Sequence, residues 1–406
     1  LDRAALAAAF AGIVERHGSL RTTFHSTGGG PVQRVAPYRG FALPAIDLAA
    51  LPEAVREGEL LRLAQADARL PFDLAQGPLF RPVLIALGEG AHALFATMHH
   101  IVSDGWSHDL FVGELTTLYQ AALERLPSPL PPLPIQYVDY AVWQRGREEE
   151  DSFRAALVEW KERLAGAPPA LDLPAERPRP PIQTFAGRSL PLRLEAGLTG
   201  RLRRLAHAAG ATQFMLLLTA LGAVFARYTG QTDLVLGAPI AGRTRRETEG
   251  LIGFFLNSLA LRLDLAGDPP FGEALSRVRE TTLAAYAHQE VPIERLLEEL
   301  KPERDLSRTP LFQVVVNWLA FGQANREPIH LPDLTLAPLS SGDPVAKFDL
   351  EVYAGEAEDG IAVNLVYNRD LFAPRQMAAL AGHLRAALEA ATAEPGRRLS
   401  ELPLAL

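Results

Sequence analysis

A chain of 406 residues, 48% hydrophobic and 22% charged, is long enough for two cores and has the makeup of a globular protein. It contains no cysteine, which excludes disulfides, a thiol nucleophile and thiolate-bound metals. A net charge of −8 with no basic cluster argues against nucleic acid and against an anionic membrane surface as partners.

Residues 4–16 carry helical periodicity; because Leu1 is not an initiator methionine and helix begins at once, a preceding segment is expected. Ser26-Thr27-Gly28-Gly29-Gly30 is a turn ahead of a short strand at 32–35, and 55–68 reads as a second helix. Residues 79–87 and 91–98 are apolar strands joined as a hairpin by Gly88-Glu89-Gly90. A helix at 107–125 stops at Leu126-Pro127-Ser128-Pro129, which has to be extended. One helix is expected over 139–164, followed by a second proline-rich stretch at 168–181. In the second half, helices are expected at 198–209 and 212–228, with Gly210 ending the first. Strands at 233–237 and 254–265, a helix at 271–288, strands at 311–319, 349–353 and 361–367, and a helix at 373–391 complete the pattern. The apolar run 214–225 is shorter than the ~20 residues that span a bilayer and reads as a buried helix. The whole predicts a mixed α/β protein, with an N-terminal lobe at 1–165, a linker at 166–185 and a C-terminal lobe at 186–406.

The chemistry concentrates in Met98-His99-His100-Ile101-Val102-Ser103-Asp104-Gly105-Trp106-Ser107, between a strand and a helix. Adjacent strand residues point to opposite faces, so one histidine is expected to be chemical and the other structural unless the strand has already ended. Asp104 can cap the helix or hold an arginine, and Gly105 allows a tight turn and close approach of a ligand. Amides at a helix start can face developing negative charge. A structural pair of histidines is the plain alternative. Metal binding is disfavoured, because no second cluster with ligand spacing is evident.

His-His-x-x-x-Asp-Gly resembles the signature of the acyltransferase superfamily that includes chloramphenicol acetyltransferase, plant acyl-CoA acyltransferases, wax ester synthases and the condensation domains of nonribosomal peptide synthetases. Five further segments resemble condensation-domain motifs, in the right order. Arg16-His17-Gly18-Ser19-Leu20-Arg21-Thr22-Thr23-Phe24 has Gly18 where the family has Glu, and Tyr137-Val138-Asp139-Tyr140-Ala141-Val142-Trp143 fits in full. Ile252-Gly253-Phe254-Phe255-Leu256-Asn257-Ser258, His288-Gln289-Glu290-Val291-Pro292-Ile293-Glu294 and Arg304-Asp305-Leu306-Ser307-Arg308-Thr309-Pro310-Leu311 complete the series. The family's first motif, Ser-x-Ala-Gln-x-Arg, is not present, and a missing N-terminal piece is expected.

The resemblance implies an α/β fold of two chloramphenicol acetyltransferase-like lobes, arranged as a V-shaped pseudo-dimer around a central tunnel with His100 at its middle. It implies amide formation between a donor acyl or peptidyl thioester and the amine of an aminoacyl thioester. Both are held on phosphopantetheine arms of peptidyl carrier proteins, so no intrinsic cofactor is needed. His100 would act as base or orient the amine, Gly105 N–H would donate to the oxyanion, and His99 would be structural. Arg21 and Arg262 are the candidates to pair with Asp104. Trp106, Ser107, Asn257 and Ser258 are candidates to line the tunnel. Trp106-Ser107, the Phe254-to-Arg262 strand and Ser307-to-Phe312 look like the subtype that accepts an L-configured donor. An adjacent adenylation domain, a monomeric state and a cytoplasmic setting are also implied. The competing readings are an acyl-CoA acyltransferase acting on a free alcohol or amine, and a condensation-like recruitment domain without turnover.

Overall fold

The computed structural model describes residues 1–319, 328–339 and 344–404. They form two compact units. The first comprises Leu1–Glu150, Ala241–Leu256 and the described part of Glu327–Gly342; the second comprises the rest.

In chain order the first unit begins with α1 (Arg3–Arg16), β1 (Thr22–Thr27), β2 (Gly30–Val35), β3 (Ala45–Asp47), α2 (Glu53–Arg69), β4 (Phe80–Gly88) and β5 (Ala91–Met98). Next are α3 (Gly105–Leu123) and α4 (Tyr137–Arg147). Strands β1 and β2 form a hairpin, and β3-β4-β5 form a three-stranded sheet. Asp2 caps α1 by accepting from Ala5 N–H at 2.9 Å. Every third or fourth residue of α1 then faces inward: Leu6, Phe10, Ile13 and Val14 are buried. Phe10 stacks on Phe80 with centroids 6.0 Å apart, and Phe111 of α3 closes on both rings at 5.8 and 5.6 Å.

The second unit contains α5 (Asp151–Leu164), β6 (Gly187–Glu195), α6 (Ala196–Ala208), α7 (Gln213–Thr229), β7 (Asp233–Ile240) and β8 (Asn257–Asp264). It continues with α8 (Phe271–Ala287), α9 (Ile293–Leu300) and β9 (Val314–Leu319). The hairpin β10 (Ile329–Leu331) and β11 (Leu334–Leu336) belongs to the first unit; β12 (Leu350–Ala357), β13 (Gly360–Asn368) and α10 (Pro374–Ala393) return to the second. Its sheet has the order β6-β13-β12-β9-β7-β8. Strands β7, β9 and β13 are largely apolar runs, as buried strands require, whereas β12 carries Glu351 and Tyr353 between Leu350, Val352 and Ala354; α7 is buried from Phe214 to Phe225. Thr212 caps α7 by accepting from Met215 N–H at 3.2 Å. Among the described residues no single helix is long and apolar enough to cross a membrane.

Several elements depart from expectation. The single helix over 139–164 is two, because Glu148-Glu149-Glu150 crowds negative charge at the end of α4, where the dipole opposes it, while Asp151 favours a new start. Phe153, Trp160 and Leu164 of α5 are buried in the second unit's core. The two units therefore divide at 150, not at the expected lobe boundary of 165, and they are not continuous in sequence. Pro191 conceals β6, which tolerates it as an edge strand. The expected strand 254–265 begins at Asn257, because the backbone groups of Phe254 and Phe255 are engaged elsewhere.

Gly237 of β7 lies under Phe312, whose Cε2 would be 2.4 Å from an added Cβ. Gly237→Ala is expected to lower stability by about 1–3 kcal/mol through overpacking, measured by chemical denaturation.

Candidate active site

Strand β5 ends at Met98, and His99 donates its backbone N–H to Leu79 O at 2.9 Å as the last sheet bond. The chain then enters a 3₁₀ turn, His100–Val102, so the two histidines no longer share strand geometry. His99 Nδ1 accepts from Ile101 N–H at 3.0 Å, which places the proton of its neutral ring on Nε2. Its ring meets Phe72 edge-on at 5.6 Å. Burial, and then the proximity of the second imidazole, lower its pKa.

His100 has the opposite arrangement. Its Nδ1 lies 2.6 Å from Ser103 O. A carbonyl can only accept, so Nδ1 carries the proton and Nε2 is left as a bare lone pair. The ring is exposed and stands edge-on to Phe254 at 5.1 Å.

Asp104 is 3% exposed and caps α3. Its Oδ1 accepts from Ser107 N–H at 2.8 Å and from Arg243 Nη2 at 3.1 Å, and its Oδ2 accepts from Phe255 N–H at 3.0 Å. These donors occupy the carboxylate, so it holds structure and has no free edge for a ligand. The partner of Asp104 is Arg243, and neither expected arginine meets it. Arg21 donates instead to Val14 O, Glu15 O and Ala36 O, where it closes the end of α1. Arg262 forms a bidentate pair with Asp233 at 2.9 and 2.7 Å and donates to Arg163 O and Ala165 O.

Arg243 was missed because it stands in Arg243-Thr244-Arg245-Arg246, a run that reads as solvated surface. Its side chain is in fact 1% exposed. Nη1 donates to Leu251 O at 2.8 Å and to Thr248 O, and the guanidinium lies 4.1 Å over Phe255. Burial pulls its pKa down, and Asp104 pushes it back up.

Segment 241–256 is tied down along its length. Ser107 Oγ lies 2.7 Å from Asp104 Oδ1 and 2.9 Å from Gly253 O, and accepts from Gly253 N–H at 3.1 Å. Trp106 Nε1 donates to Glu249 O at 3.0 Å, and Tyr137 Oη to Phe254 O at 2.8 Å. His17 Nδ1 accepts from Ile252 N–H at 3.2 Å while its Nε2 meets Glu114 at 2.7 Å; Ser19 Oγ donates to Ile252 O at 2.6 Å. Three motif regions, at 16–19, 104–107 and 137, thus grip the segment that carries Phe254 to His100.

Two of the four expected tunnel residues prove to be clamps. Ser107 is completely buried and has no surface for a substrate. Asn257 spends its amide on Gln289 O and Val291 O at 2.9 and 2.7 Å, and its carbonyl on Ser258 N–H and Ile293 N–H at 2.8 and 3.0 Å. It fixes the His288-to-Glu294 motif to β8. Trp106 is 43% exposed, and Ser258 is half-buried. Gly105 opens α3 with an N–H that has no intrahelical acceptor, and beyond its chain neighbours and its own helix backbone an added Cβ would meet nothing within 4 Å.

Arg243→Ala would strand a buried carboxylate, and a loss of about 3–5 kcal/mol is expected in denaturant unfolding. Arg243→Lys is expected to recover only part of it, since an ammonium cannot serve Asp104, Leu251 O and Thr248 O together. A histidine with a depressed folded pKa is protonated first in the unfolded chain. As pH falls through about 6.5 the folded state should therefore lose stability, and His99→Asn should flatten that slope between pH 7 and pH 5.

A family model described as Condensation domain matches residues 1–406. The chain is 44% identical over its full length to a subunit of the linear gramicidin synthase of Brevibacillus parabrevis, of which it spans 8%. It is 38% identical over its full length to surfactin synthase subunit 1 of Bacillus subtilis, of which it spans 11%. The chain is thus a small part of the length of these relatives. The X-domain from teicoplanin biosynthesis superposes with a TM-score of 0.90 at 32% identity, covering 99% of this chain and 90% of that one. A four-domain nonribosomal peptide synthetase bound to AMP and glycine superposes at 0.86 with 26% identity, covering 98% of this chain and 30% of that one. With a family model that spans the full chain, and with relatives of this identity, the chain belongs to the condensation-domain family.

Proposed function

We propose that this domain joins an acyl or peptidyl thioester on a donor carrier protein to the amine of an aminoacyl thioester on an acceptor carrier, with His100 as the residue that handles the amine. The observation that carries this reading is the 2.6 Å contact of His100 Nδ1 with Ser103 O, which leaves Nε2 as a fixed acceptor on an exposed ring. The amine nitrogen attacks the thioester carbon, the carbon–sulfur bond breaks, and the proton lost by the amine ends on the departing thiolate. Nε2 accepts the amine N–H during attack and can carry that proton.

An α-amino group titrates near 7.7–8.0, so about 10% is unprotonated at neutral pH. A base is worth about 10²–10⁴-fold, whereas aligning two reactants is worth up to about 7–11 kcal/mol. Alignment of the two tethered reactants is thus the larger part of catalysis, and His100 contributes to it as base or by orienting the amine. Gly105 N–H, without an intrahelical acceptor and with open space beside it, is suited to donate to the tetrahedral oxyanion.

The carriers supply the phosphopantetheine arms, and this domain contributes no cofactor of its own. The donor is L-configured. The setting is a cytoplasmic synthetase with an adjacent adenylation domain, in which this domain is monomeric. A second reading, recruitment without turnover, draws on the likeness to the teicoplanin X-domain, which is also solved in complex with OxyB.

Intact mass spectrometry of two loaded carriers tests the reading. The acceptor carrier is expected to gain the mass of the donor acyl group. His100→Ala should slow that gain by about 10²-fold or more. Gly105→Ala, whose Cβ would stand beside the N–H where the oxyanion has to approach, should slow it without lowering the melting temperature. Carrier binding with no mass gain across several loaded pairs would favour recruitment, and turnover of acyl-CoA instead would favour a free-substrate acyltransferase.

A further inference from the structure

The six-stranded sheet has two different faces. Leu350, Val352 and Ala354 of β12, with Val314 and Val316 of β9 and Val363 and Leu365 of β13, point into the apolar core. The alternate residues occupy the other face. There, strand register places Asn317, Tyr353 and Asn364 side by side across β9, β12 and β13. Neighbouring strands are about 4.8 Å apart, so the row is about 10 Å long.

All three residues are half-buried, and the amides of Asn317 and Asn364 make no side-chain hydrogen bond among the described residues. The next residue on this face of β12 is Gly355, which has no side chain to cover the row. Tyr353 is different: its Oη donates to Glu351 Oε2 at 2.5 Å. Glu351 is 4% exposed, has no cationic partner among the described residues, and accepts from Lys347 N–H through Oε1 at 2.7 Å. Burial, and then the adjacent carboxylate, push the Tyr353 pKa far up, so the phenol keeps its proton and Glu351 holds it. Toward any third group, the Tyr353 oxygen can then only accept.

We propose that Asn317, Tyr353 and Asn364 form a recognition row for a secondary amide of the acyl or aminoacyl chain, with Tyr353 accepting the amide N–H because Glu351 fixes the phenol as an acceptor. The inference rests on the condensation reading, which supplies amide-bearing chains as ligands. A peptidyl donor and the pantetheine arm share this chemistry. Tyr353 is the contact, and Glu351 is a positioning residue that sets its polarity.

The test is equilibrium binding to the intact domain, followed by NMR or calorimetry. The probes are N-acetylglycyl-alanine methylamide, its ester analogue in which oxygen replaces the central N–H, and pantetheine. The wild type is expected to prefer amide over ester by about tenfold, since the ester sets two acceptors against each other. Tyr353→Phe should erase that preference. In Glu351→Gln, Lys347 N–H fixes the new amide oxygen, which turns its NH₂ toward Tyr353. The phenol is then free to donate, and the preference should shrink or reverse with the protein still folded. Tight binding of the dipeptide identifies the peptidyl chain as the ligand, and tight binding of pantetheine identifies the arm. Equal affinity for amide and ester, no binding of any probe, or a full preference retained in Tyr353→Phe overturns the row. The carrier assay separates the two readings: condensation without amide preference leaves the reaction standing and removes the row, and the converse removes the reaction.

Discussion

A carboxylate that is 3% exposed cannot stay charged without close compensation, and at Asp104 it is supplied by Arg243 together with two backbone amides. This pair sets much else in the first unit. Through Asp104 it starts α3, which positions Gly105. Through Arg243 it gathers the carbonyls of Thr248 and Leu251, and through Phe255 it fixes the backbone beside Phe254, the ring against His100. Removing two such charges together could cost little, whereas removing one leaves the other buried and unpaired.

The adjacent histidines share one chemistry and differ only in which nitrogen is occupied. His99 is engaged through Nδ1 as an acceptor, and His100 through Nδ1 as a donor. The distinction depends on the turn that begins at His100, since on a continuing strand the two rings would leave by opposite faces. A few backbone angles thus make one imidazole a packing residue and the other an open acceptor.

The histidine pair, the strand before it, the helix after it and the order of the motifs were legible in sequence, because each depends on neighbours along the chain. The partner of Asp104 was not. It lies 139 positions away, among arginines that look alike until the chain folds. Asn257 and Ser107 were legible as motif positions but not as clamps, since nothing in their types tells whether their hydrogen bonds go to backbone or to ligand. Strand β6 was hidden by Pro191, a residue whose meaning depends on whether the strand lies at an edge. Local rules located the elements; long-range pairings assigned the roles.

Segment 241–256 departs from Ile240 and returns at Asn257, and these two residues are direct partners on the β7–β8 ladder. Its ends therefore lie about 5 Å apart on a fixed rung. Its own anchors, Arg243, Ile252, Gly253 and Phe255, travel with it, while the groups that receive them, Asp104, Ser107, His17 and Ser19, stay behind. Such a piece is a cassette. It can be exchanged between relatives at the cost of preserving one rung and the six side chains that grip it, His17, Ser19, Asp104, Trp106, Ser107 and Tyr137, so variation around His100 can be drawn from this loop without redesigning either sheet.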